Sequence, residues 1–321
     1  MKKEHIDVQA IINPVSGVGS KRAIPKLIEK IYESRNLALN ITFTEYAGHA
    51  KLLTKNALKQ GARYILAVGG DGTVNEIAAA MINSEATLGI IPRGSGNGLA
   101  RDLQIPMDTR KAVELILKDH VTVIDGCVAN RHIFFTTCGV GFDAMVSQKF
   151  ATEKRRGSMT YVRRAIQEYL NYKPEEYELH IDDRAVTEKA FLVACANASQ
   201  YGNNAFIAPH ANMTDGKMDI TILSPFTALD VPNLAFQLFT RQIEKNSKIK
   251  IIQTDRLTII RRNPGVMHLD GDPIMAGKKI TVNVLPKVLK VFTPETLDAK
   301  SERKNLFGQV VDLLNSHALH R

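Results

Sequence analysis

The stretch YILAVGGDGTVNE, residues 64–76, decides the fold of the N-terminal half, because an apolar run ends in glycines and restarts as a helix. The run Tyr64–Val68 predicts a buried strand, and residues 73–83 predict a helix. Glycines let the backbone approach a ligand closely, and the first amides of a helix attract an anion. Asp71 would repel a phosphate unless a divalent cation lay between them. The stretch therefore predicts a phosphate-binding turn, with a glycine-rich turn capped by Asp71 or Thr73 as the purely structural alternative.

Two further strand-to-helix junctions have the same composition. A strand at Ile6–Ile12 ends in NPVSGVGS, residues 13–20, and a strand at Leu88–Ile91 ends in PRGSGNGLA, residues 92–100. The carboxyl ends of parallel strands meet at one edge of a sheet, so the three loops are expected to surround a single nucleotide. The P-loop pattern and the dinucleotide fingerprint are both missing, which argues against an ordinary P-loop enzyme or dehydrogenase.

The composition is that of an ordinary globular protein, with 321 residues, 44% hydrophobic and 23% charged. A net charge of +9 indicates an anionic partner, and 6% aromatic residues without Trp make nucleic acid the weakest candidate. No segment is apolar over the length of a membrane span, and no signal-peptide core follows Met1, so a cytoplasmic location is expected. Cys127, Cys138 and Cys195 each lie in an apolar run and are expected to be buried thiols.

The character of the sequence changes near residues 124–130. Strands alternate with helices before this point, whereas β-branched and aromatic runs after it predict a hairpin at residues 120–137 and then an antiparallel sandwich or barrel. We therefore divide the chain into an α/β domain at residues 1–127, a β-rich domain at 128–293, and a terminal segment at 294–321. That last segment is expected to contain a helix that packs on the body.

Two helical segments are expected inside the β-rich half, Asp143–Leu170 and Ala228–Ile243. The second has a strongly apolar stripe and is interpreted as core or lid. The first combines apolar and basic side chains, which suits an anionic lipid surface, with a solvated helix as the alternative. Its candidate membrane contacts are Lys154, Arg155, Arg156, Arg163 and Arg164.

Taken in order, these motifs resemble the bacterial diacylglycerol kinase and lipid kinase family, relatives of sphingosine and ceramide kinases, whose catalytic domain is built on Gly-Gly-Asp-Gly-Thr. A lone GGDG is weak, because NAD kinases and phosphofructokinases share it, but the ordered set is specific. The matching positions run through most of the chain and are Asn13-Pro14 with Ser16-Gly17, Thr44 with Gly48-His49-Ala50, Gly69–Glu76, Pro92–Asn97 with Leu99-Ala100, Gly139–Asp143, Thr214–Asp219 and Asp270-Gly271-Asp272.

The resemblance implies a two-domain α+β architecture. A three-layer α/β domain like that of phosphofructokinase and NAD kinase is followed by an all-β sandwich that receives the lipid substrate. ATP and Mg²⁺ are the implied cofactors, with ATP in the cleft between the domains. The residues implied to line the nucleotide are Asn13, Pro14, Ser16, Gly17, Thr44, Gly69, Gly70, Asp71, Gly72, Thr73, Asn75 and Ser95.

The same resemblance implies roles for acidic residues. Asp71 would reach the catalytic magnesium through water, with Asp125 and Asp215 assisting. The segment Asp215–Asp219 matches a loop that holds a structural magnesium, partly through backbone carbonyls such as that of Met218. Asp270 matches the general base. The family commonly has Asp-Gly-Glu at that turn, whereas this chain has Asp-Gly-Asp, which leaves the role of Asp272 open.

The implied function is an ATP- and magnesium-dependent lipid kinase that phosphorylates a lipid hydroxyl, with diacylglycerol converted to phosphatidic acid in phospholipid biosynthesis. The expected enzyme is cytoplasmic and associates transiently and peripherally with the inner face of the membrane. A homodimer is possible, and the sequence does not decide the oligomeric state. The alternatives are another acceptor (a sphingoid base, ceramide, another glycerolipid or a soluble diol) and a non-catalytic sensor that binds nucleotide or lipid. A dinucleotide oxidoreductase is disfavoured by the missing fingerprint.

Overall fold

The computed structural model describes residues 6–17, 23–32, 37–151 and 172–295. Its first part alternates strands and helices, as the glycine-loop pattern predicts. Strands β1 and β4 are buried at every residue, which explains their unbroken apolar sequence. The elements are β1 Val8–Ile12, α1 Ala23–Tyr32, β2 Leu39–Phe43, α2 His49–Lys59, β3 Tyr64–Gly69, α3 Asp71–Met81, β4 Thr87–Pro92, α4 Gly98–Asp102 and α5 Thr109–Ile116.

The second part is mostly antiparallel strands. Two short 3₁₀ turns, Ala228–Asp230 and Ile243–Lys245, flank its second helix. The elements are β5 Val121–Ala129, β6 His132–Phe134, β7 Thr137–Gly141, α6 Phe142–Ala151, β8 Glu175–Ile181, β9 Arg184–Ala190, β10 Leu192–Ala196, β11 Met218–Leu223, α7 Val231–Phe239, β12 Ile249–Thr254, β13 Arg256–Arg261, β14 Gly265–Leu269, β15 Asp272–Ala276 and β16 Lys279–Phe292.

The larger sheet of the described residues runs through both halves of the chain. Its order is β2-β1-β3-β4-β16-β13-β8-β9, with β5 also paired to β16 and β6 to β5. The strands β1 to β4 are parallel to one another, and right-handed crossovers place α1 on the opposite face from α2 and α3. The last strand, β16, is parallel to β4 and antiparallel to β5 and β13. It therefore joins the α/β half to the β-rich half.

The second sheet, in the order β12-β11-β10-β7-β14-β15, is antiparallel at every pairing. A hydrophobic core lies between it and the β16 half of the first sheet, with Phe134, Tyr177 and Ile259 from one side and Val193 and Ile220 from the other. This is a β-sandwich, so the structure has the architecture predicted from the sequence.

The element boundaries show where the sequence interpretation holds and where it needs correction. The helix predicted at residues 73–83 begins two residues earlier, at Asp71. The hairpin predicted at residues 120–137 is formed by β5 and β6, but it ends at Phe134, and Thr137 begins a strand of the other sheet. The expected helix Asp143–Leu170 is described only as α6. Its basic residues, Lys154, Arg155, Arg156, Arg163 and Arg164, and the helix expected in 294–321 lie outside the described residues.

Two further expectations concern burial and membrane spans. Cys127, Cys138 and Cys195 are free thiols and all three are buried, as expected. Among the described residues, no helix has the length and apolar character needed to cross a bilayer.

Candidate active site

The three glycine-rich loops meet at the carboxyl edge of the parallel strands, as expected from the sequence. The side-chain amide of Asn13, after β1, donates to the Thr73 hydroxyl at the start of α3 over 2.9 Å. The backbone N–H of Arg93, after β4, donates to the Gly69 carbonyl over 2.7 Å. A Cβ on Gly17 would lie 1.7 Å from the Arg93 carbonyl oxygen, so the first loop also touches the third.

Glycine is required where two of these loops cross. A Cβ on Gly94 would lie 2.6 Å from the Gly70 Cα, and a Cβ on Gly70 would lie 3.0 Å from the Gly94 Cα. The N-cap residue of α3 is Gly70, which has no side chain to cap the helix. The first backbone amides of a helix have no partner within the helix, and this arrangement favours a bound phosphate.

Asp71 lies at the centre of this crossing. Its two carboxylate oxygens accept hydrogen bonds from the backbone N–H groups of Asn97 and Gly98, over 2.8 and 2.6 Å. Burial raises the pKa of Asp71 above its ordinary value and the negative charge of Asp270 adds to the rise, while the two amides oppose it. A cation beside the carboxylate would stabilise its charged form and so offset the cost of burying it.

The fit of magnesium to this site follows from the donor set. Each carboxylate oxygen of Asp71 can accept a second hydrogen bond or water contact, and oxygen ligands suit a hard cation. Among the described residues, no three His, Cys, Asp or Glu side chains are close enough together to hold a metal ion. The carboxylate oxygens of Asp71 thus fit a magnesium ion that they would contact through water, with its other ligands coming from water or a bound phosphate.

Asp270 occupies the first position of a two-residue turn between β14 and β15. Asp270 and Gly271 both have positive φ, 49° and 88°, as in a type I′ hairpin turn. One carboxylate oxygen accepts from the Thr136 and Thr137 amides and the Thr136 hydroxyl, and the other from the Asn75 side chain and the Phe135 amide. These donors hold the carboxylate in one orientation.

Asp71 and Asp270 open onto one small cavity at the junction of the two halves. Its walls are formed by residues of α3, of the third glycine loop, and of the short connection between β6 and β7 at residues 135–136. The lining residues are Asp71, Val74, Asn75, Ile90, Asn97, Leu99, Ala100, Phe135, Thr136 and Asp270.

The remaining residues expected to line the nucleotide lie around the same edge. The Thr44 amide donates to the Ile12 carbonyl over 2.9 Å, and the Ser16 hydroxyl donates to the Asn13 carbonyl over 3.0 Å. Pro14 and Ser95 are exposed on the first and third loops. Gly72 faces the Asp270–Asp272 turn, since a Cβ there would lie 3.7 Å from the Asp272 carboxylate, so Asp272 also borders this edge.

The other acidic residues make a second group. Asp125 is fully buried in β5, and its two oxygens accept from the backbone N–H groups of Gly216 and Lys287, each over 2.7 Å. Asp215 accepts from the Lys217 amide and the Gln253 side chain. Burial raises the pKa of Asp219, in β11 beside Met218, and the charge of Asp215 adds to that rise. The structure thus gathers these acids around the 212–217 loop and gives Asp125 two main-chain partners.

Sequence reasoning missed several residues that organise the site. Asn97 accepts from the Gly94 amide and donates to its carbonyl, which fixes the third loop. Asp143 accepts from the Tyr201 hydroxyl over 2.9 Å and lies 3.0 Å from Nε2 of the buried His268. Asp143 belongs to a recognised motif without an assigned role, whereas nothing in the local sequence marks His268.

Two family models match this chain, and together they span nearly all of its described residues. Residues 7–129 match the family described as the diacylglycerol kinase catalytic domain, and residues 136–293 match the YegS C-terminal NAD kinase beta sandwich-like domain. An uncharacterized protein of Synechocystis sp. is 31% identical over 88% of this chain and 69% of its own length. The "Probable lipid kinase YegS-like" of Pectobacterium atrosepticum is 30% identical over 86% of this chain and 94% of its own length.

Solved structures agree on the fold. A diacylglycerol kinase from Bacillus anthracis strain Sterne is 20% identical, with a TM-score of 0.73 over 91% of this chain and 98% of its own. An NAD kinase from Archaeoglobus fulgidus in complex with ATP is 13% identical, with a TM-score of 0.52 over 95% and 98%. These show the predicted fold class, an α/β domain with a C-terminal β-sandwich. The chain therefore belongs to the YegS-like lipid kinase family, with a diacylglycerol kinase catalytic domain as its N-terminal half.

Proposed function

We propose that the protein transfers the γ-phosphoryl group of ATP to a hydroxyl group of a membrane lipid, with magnesium as cofactor and diacylglycerol as acceptor. The product would be phosphatidic acid, a precursor in phospholipid biosynthesis. The observation that carries the proposal is the placement of Asp270 and Asp71 on one cavity beside the glycine loops. A site that only bound nucleotide would gain nothing from a second carboxylate facing a phosphate position.

The glycine loops supply the positioning that phosphoryl transfer requires. Backbone amides at the start of α3 and in the 93–98 loop would bind the phosphates, and Asn13, Ser16, Thr44 and Ser95 would border the nucleotide. Magnesium, when bound with ATP, would neutralise phosphate charge next to Asp71. No covalent step on the protein is needed, so precise placement of the acceptor hydroxyl is the remaining requirement.

Asp270 is the proposed general base. Its carboxylate is saturated by donors, so an acceptor hydroxyl can reach it only where a donor moves away. The Asn75 side-chain amide, 2.6 Å from Oδ2, can leave by rotation, whereas the Phe135 and Thr136 amides are fixed in the backbone. We therefore assign Oδ2 as the atom that accepts the hydroxyl proton, with Asn75 released towards the phosphate.

The second acidic group would serve structure. We propose that Asp215, Asp219 and the Met218 carbonyl hold a structural magnesium at the 212–217 loop. Asp125 and Asp215 stay proposed as assistants of Asp71 at the catalytic magnesium, and Asp125 would also fix the loop, because its carboxylate accepts from the Gly216 amide. Peripheral membrane association belongs to the same proposal, since a bilayer lipid is the acceptor and the net charge is +9.

The test is transfer of radiolabel from ATP to diacylglycerol and to a mixed lipid extract, with magnesium present. Asp270→Asn should lower kcat by about 10²- to 10⁴-fold while ATP binding stays unchanged. The matched control is Asp183→Asn, whose side chain is fully exposed on the β8–β9 turn. Label in another lipid would keep the mechanism and change the acceptor. ATP bound without label in any lipid would refute the kinase proposal, and an active Asp270→Asn with an inactive Asp71→Asn would refute the assignment of the base.

A further inference from the structure

The outer side of α7 and of the 3₁₀ turn before it is an exposed apolar surface. The side chains of Leu229 and Phe236 are 90% and 55% exposed. Their neighbours on the same side follow helical spacing, so they form one continuous stripe. The exposed members, which we call the α7 stripe, are Ala228, Leu229, Pro232, Ala235 and Phe236.

The opposite side of α7 is already packed. Leu234 is buried in a small core with Phe191, Ile207 and Ile243. The Leu238 carbonyl accepts a hydrogen bond from the Phe206 amide over 2.9 Å, which ties the helix to the loop beneath it. The α7 stripe is therefore the outer face of a fixed helix, and its exposure does not come from poor packing. Contiguous exposed apolar side chains on a well-packed helix indicate an interaction site.

The distribution of charge around the stripe identifies its partner. No charged residue occurs between Asp230 and Arg241. Exposed lysines follow at Lys245 and Lys248, and the Lys248 carbonyl accepts from the Ser224 amide, which returns the chain to the segment that precedes the stripe. The face is thus uncharged from Val231 to Thr240, Asp230 is the one acid within the stripe, and the cations Arg241, Lys245 and Lys248 outnumber Asp230 and Glu244 around it. This is the pattern of an interfacial helix, whose apolar face enters the acyl region while lysines contact anionic head groups.

The stripe is connected to the candidate active site through one loop. The Arg241 guanidinium lies 4.3 Å over the Phe206 ring, and the Ser199 amide donates to the Asp102 carboxylate of α4 over 2.9 Å. A Cβ on Gly202 would lie 3.3 Å from the backbone of Gly96 in the third glycine loop. The loop beneath α7 therefore packs directly on the loop that borders the nucleotide site.

We propose that the α7 stripe is the membrane-docking surface, which inserts into the head-group and upper acyl region of an anionic bilayer. The proposal rests on the proposed function in taking a bilayer lipid as acceptor. Docking by α7 would hold the mouth of the candidate site against the bilayer, so that the acceptor hydroxyl needs only a short excursion to reach Asp270.

The test is co-sedimentation of the full chain with phosphatidylglycerol-containing vesicles, without ATP or magnesium, so that binding is measured apart from catalysis. Leu229→Glu combined with Phe236→Glu should weaken the vesicle partition coefficient about 10- to 100-fold. Leu229→Ser, a milder change at the most exposed position, should give an intermediate loss. Leu52→Glu, at an exposed leucine of helix α2 in the α/β half, is the matched control and should bind vesicles as the parent does.

The variants should also retain the parent's melting temperature, and where the kinase is active they should phosphorylate detergent-dispersed acceptor at the parent rate. Vesicle binding equal to the parent in the double variant would overturn the proposal. So would a change from dimer to monomer in light scattering with vesicle binding intact, since that outcome assigns the stripe to a second copy. Loss of vesicle binding in a protein without kinase activity would support the docking surface and refute only the proposed function.

Discussion

At the scale of single residues, the buried charge of Asp71 has a consequence that can be measured without substrate. Its pKa is raised in the folded protein by burial and then by Asp270, while in the unfolded chain it is about 3.9. Between these two values the unfolded state releases the proton and the folded state keeps it. The free energy of unfolding therefore falls as pH rises through this window.

Asp71→Asn removes this effect. The free energy of unfolding of the parent minus that of the variant should decrease as pH rises from about 4 and then level off above the folded-state pKa. Urea unfolding at a series of pH values in EDTA measures it. Adding Mg²⁺ together with ATP should then stabilise the parent more than the variant. A difference that does not change with pH, or that increases with pH, would contradict the burial of an ionisable group here.

The residues of the candidate site differ in how far the sequence predicts them. The glycines and Asp71 are predictable, because one local motif contains the strand, the turn and the helix start. The partners of Asp270 are not, since Asn75 lies 195 residues from it and Thr136 lies 134 residues from it along the chain. The contact between Asp143 and His268 is missed for the same reason. The pairing of β7 with β14 brings them together.

At the scale of elements, strand β16 contains a bulge that a hydrogen bond to Asp125 stabilises. Leu285 pairs with Gly126 and Leu289 with Ile124, so three residues of β16 lie opposite Asp125 alone. Lys287, in the middle of them, has φ 52° and donates its backbone N–H to the Asp125 carboxylate. A bulge of this kind bends a strand and increases its twist. Here it separates the part of β16 that pairs with β13 from the part that pairs with β4.

Asp125→Asn should therefore destabilise the protein. An amide has one acceptor oxygen, so one of the backbone N–H groups of Gly216 and Lys287 would face an NH₂ group inside the fully buried Asp125 site instead. The expected loss is about 1–3 kcal/mol in the free energy of unfolding, measured in urea. Asp183→Asn, the fully exposed control, should stay within about 0.5 kcal/mol of the parent. Equal stability of the two variants would show that Asp125 is not needed to hold the bulge.

Elements are predictable from the sequence where burial is uniform and poorly predictable where it is not. Strands β1, β3 and β4 are largely apolar along their length because both of their faces are covered, whereas the edge strand β2 alternates and is half-exposed. Strand β9, Arg184–Ala190, cannot be predicted from the sequence, because most of its side chains are exposed and no apolar alternation marks it. The hairpin of β14 and β15 was recognised only as a turn, at Asp270. Its strand residues are mixed in character because one end borders the cavity.

At the scale of the whole molecule, β16 makes the two halves interdependent. It supplies Leu289, Val291 and Phe292 to the hydrophobic core of the α/β half, although it comes last in the described chain. It also covers the edge of β4 and pairs with β5 along most of that strand's length. The boundary at residue 127 divides the sequence by composition. It does not take account of a strand that returns from the far end of the chain.

Residues 1–127 alone should consequently fail to fold. They lack the partner of β4 and β5 and three core side chains, and an unpaired edge with exposed apolar residues favours aggregation. Residues 1–130 joined to residues 280–295 by a short glycine-containing turn should recover a cooperative urea transition. Asn130 and Thr281 already form two hydrogen bonds there, so the turn would close a hairpin. Circular dichroism and urea unfolding compare the two fragments. A cooperative transition in residues 1–127 alone would mean that the α/β half is an independent domain after all, with β16 only docked against it.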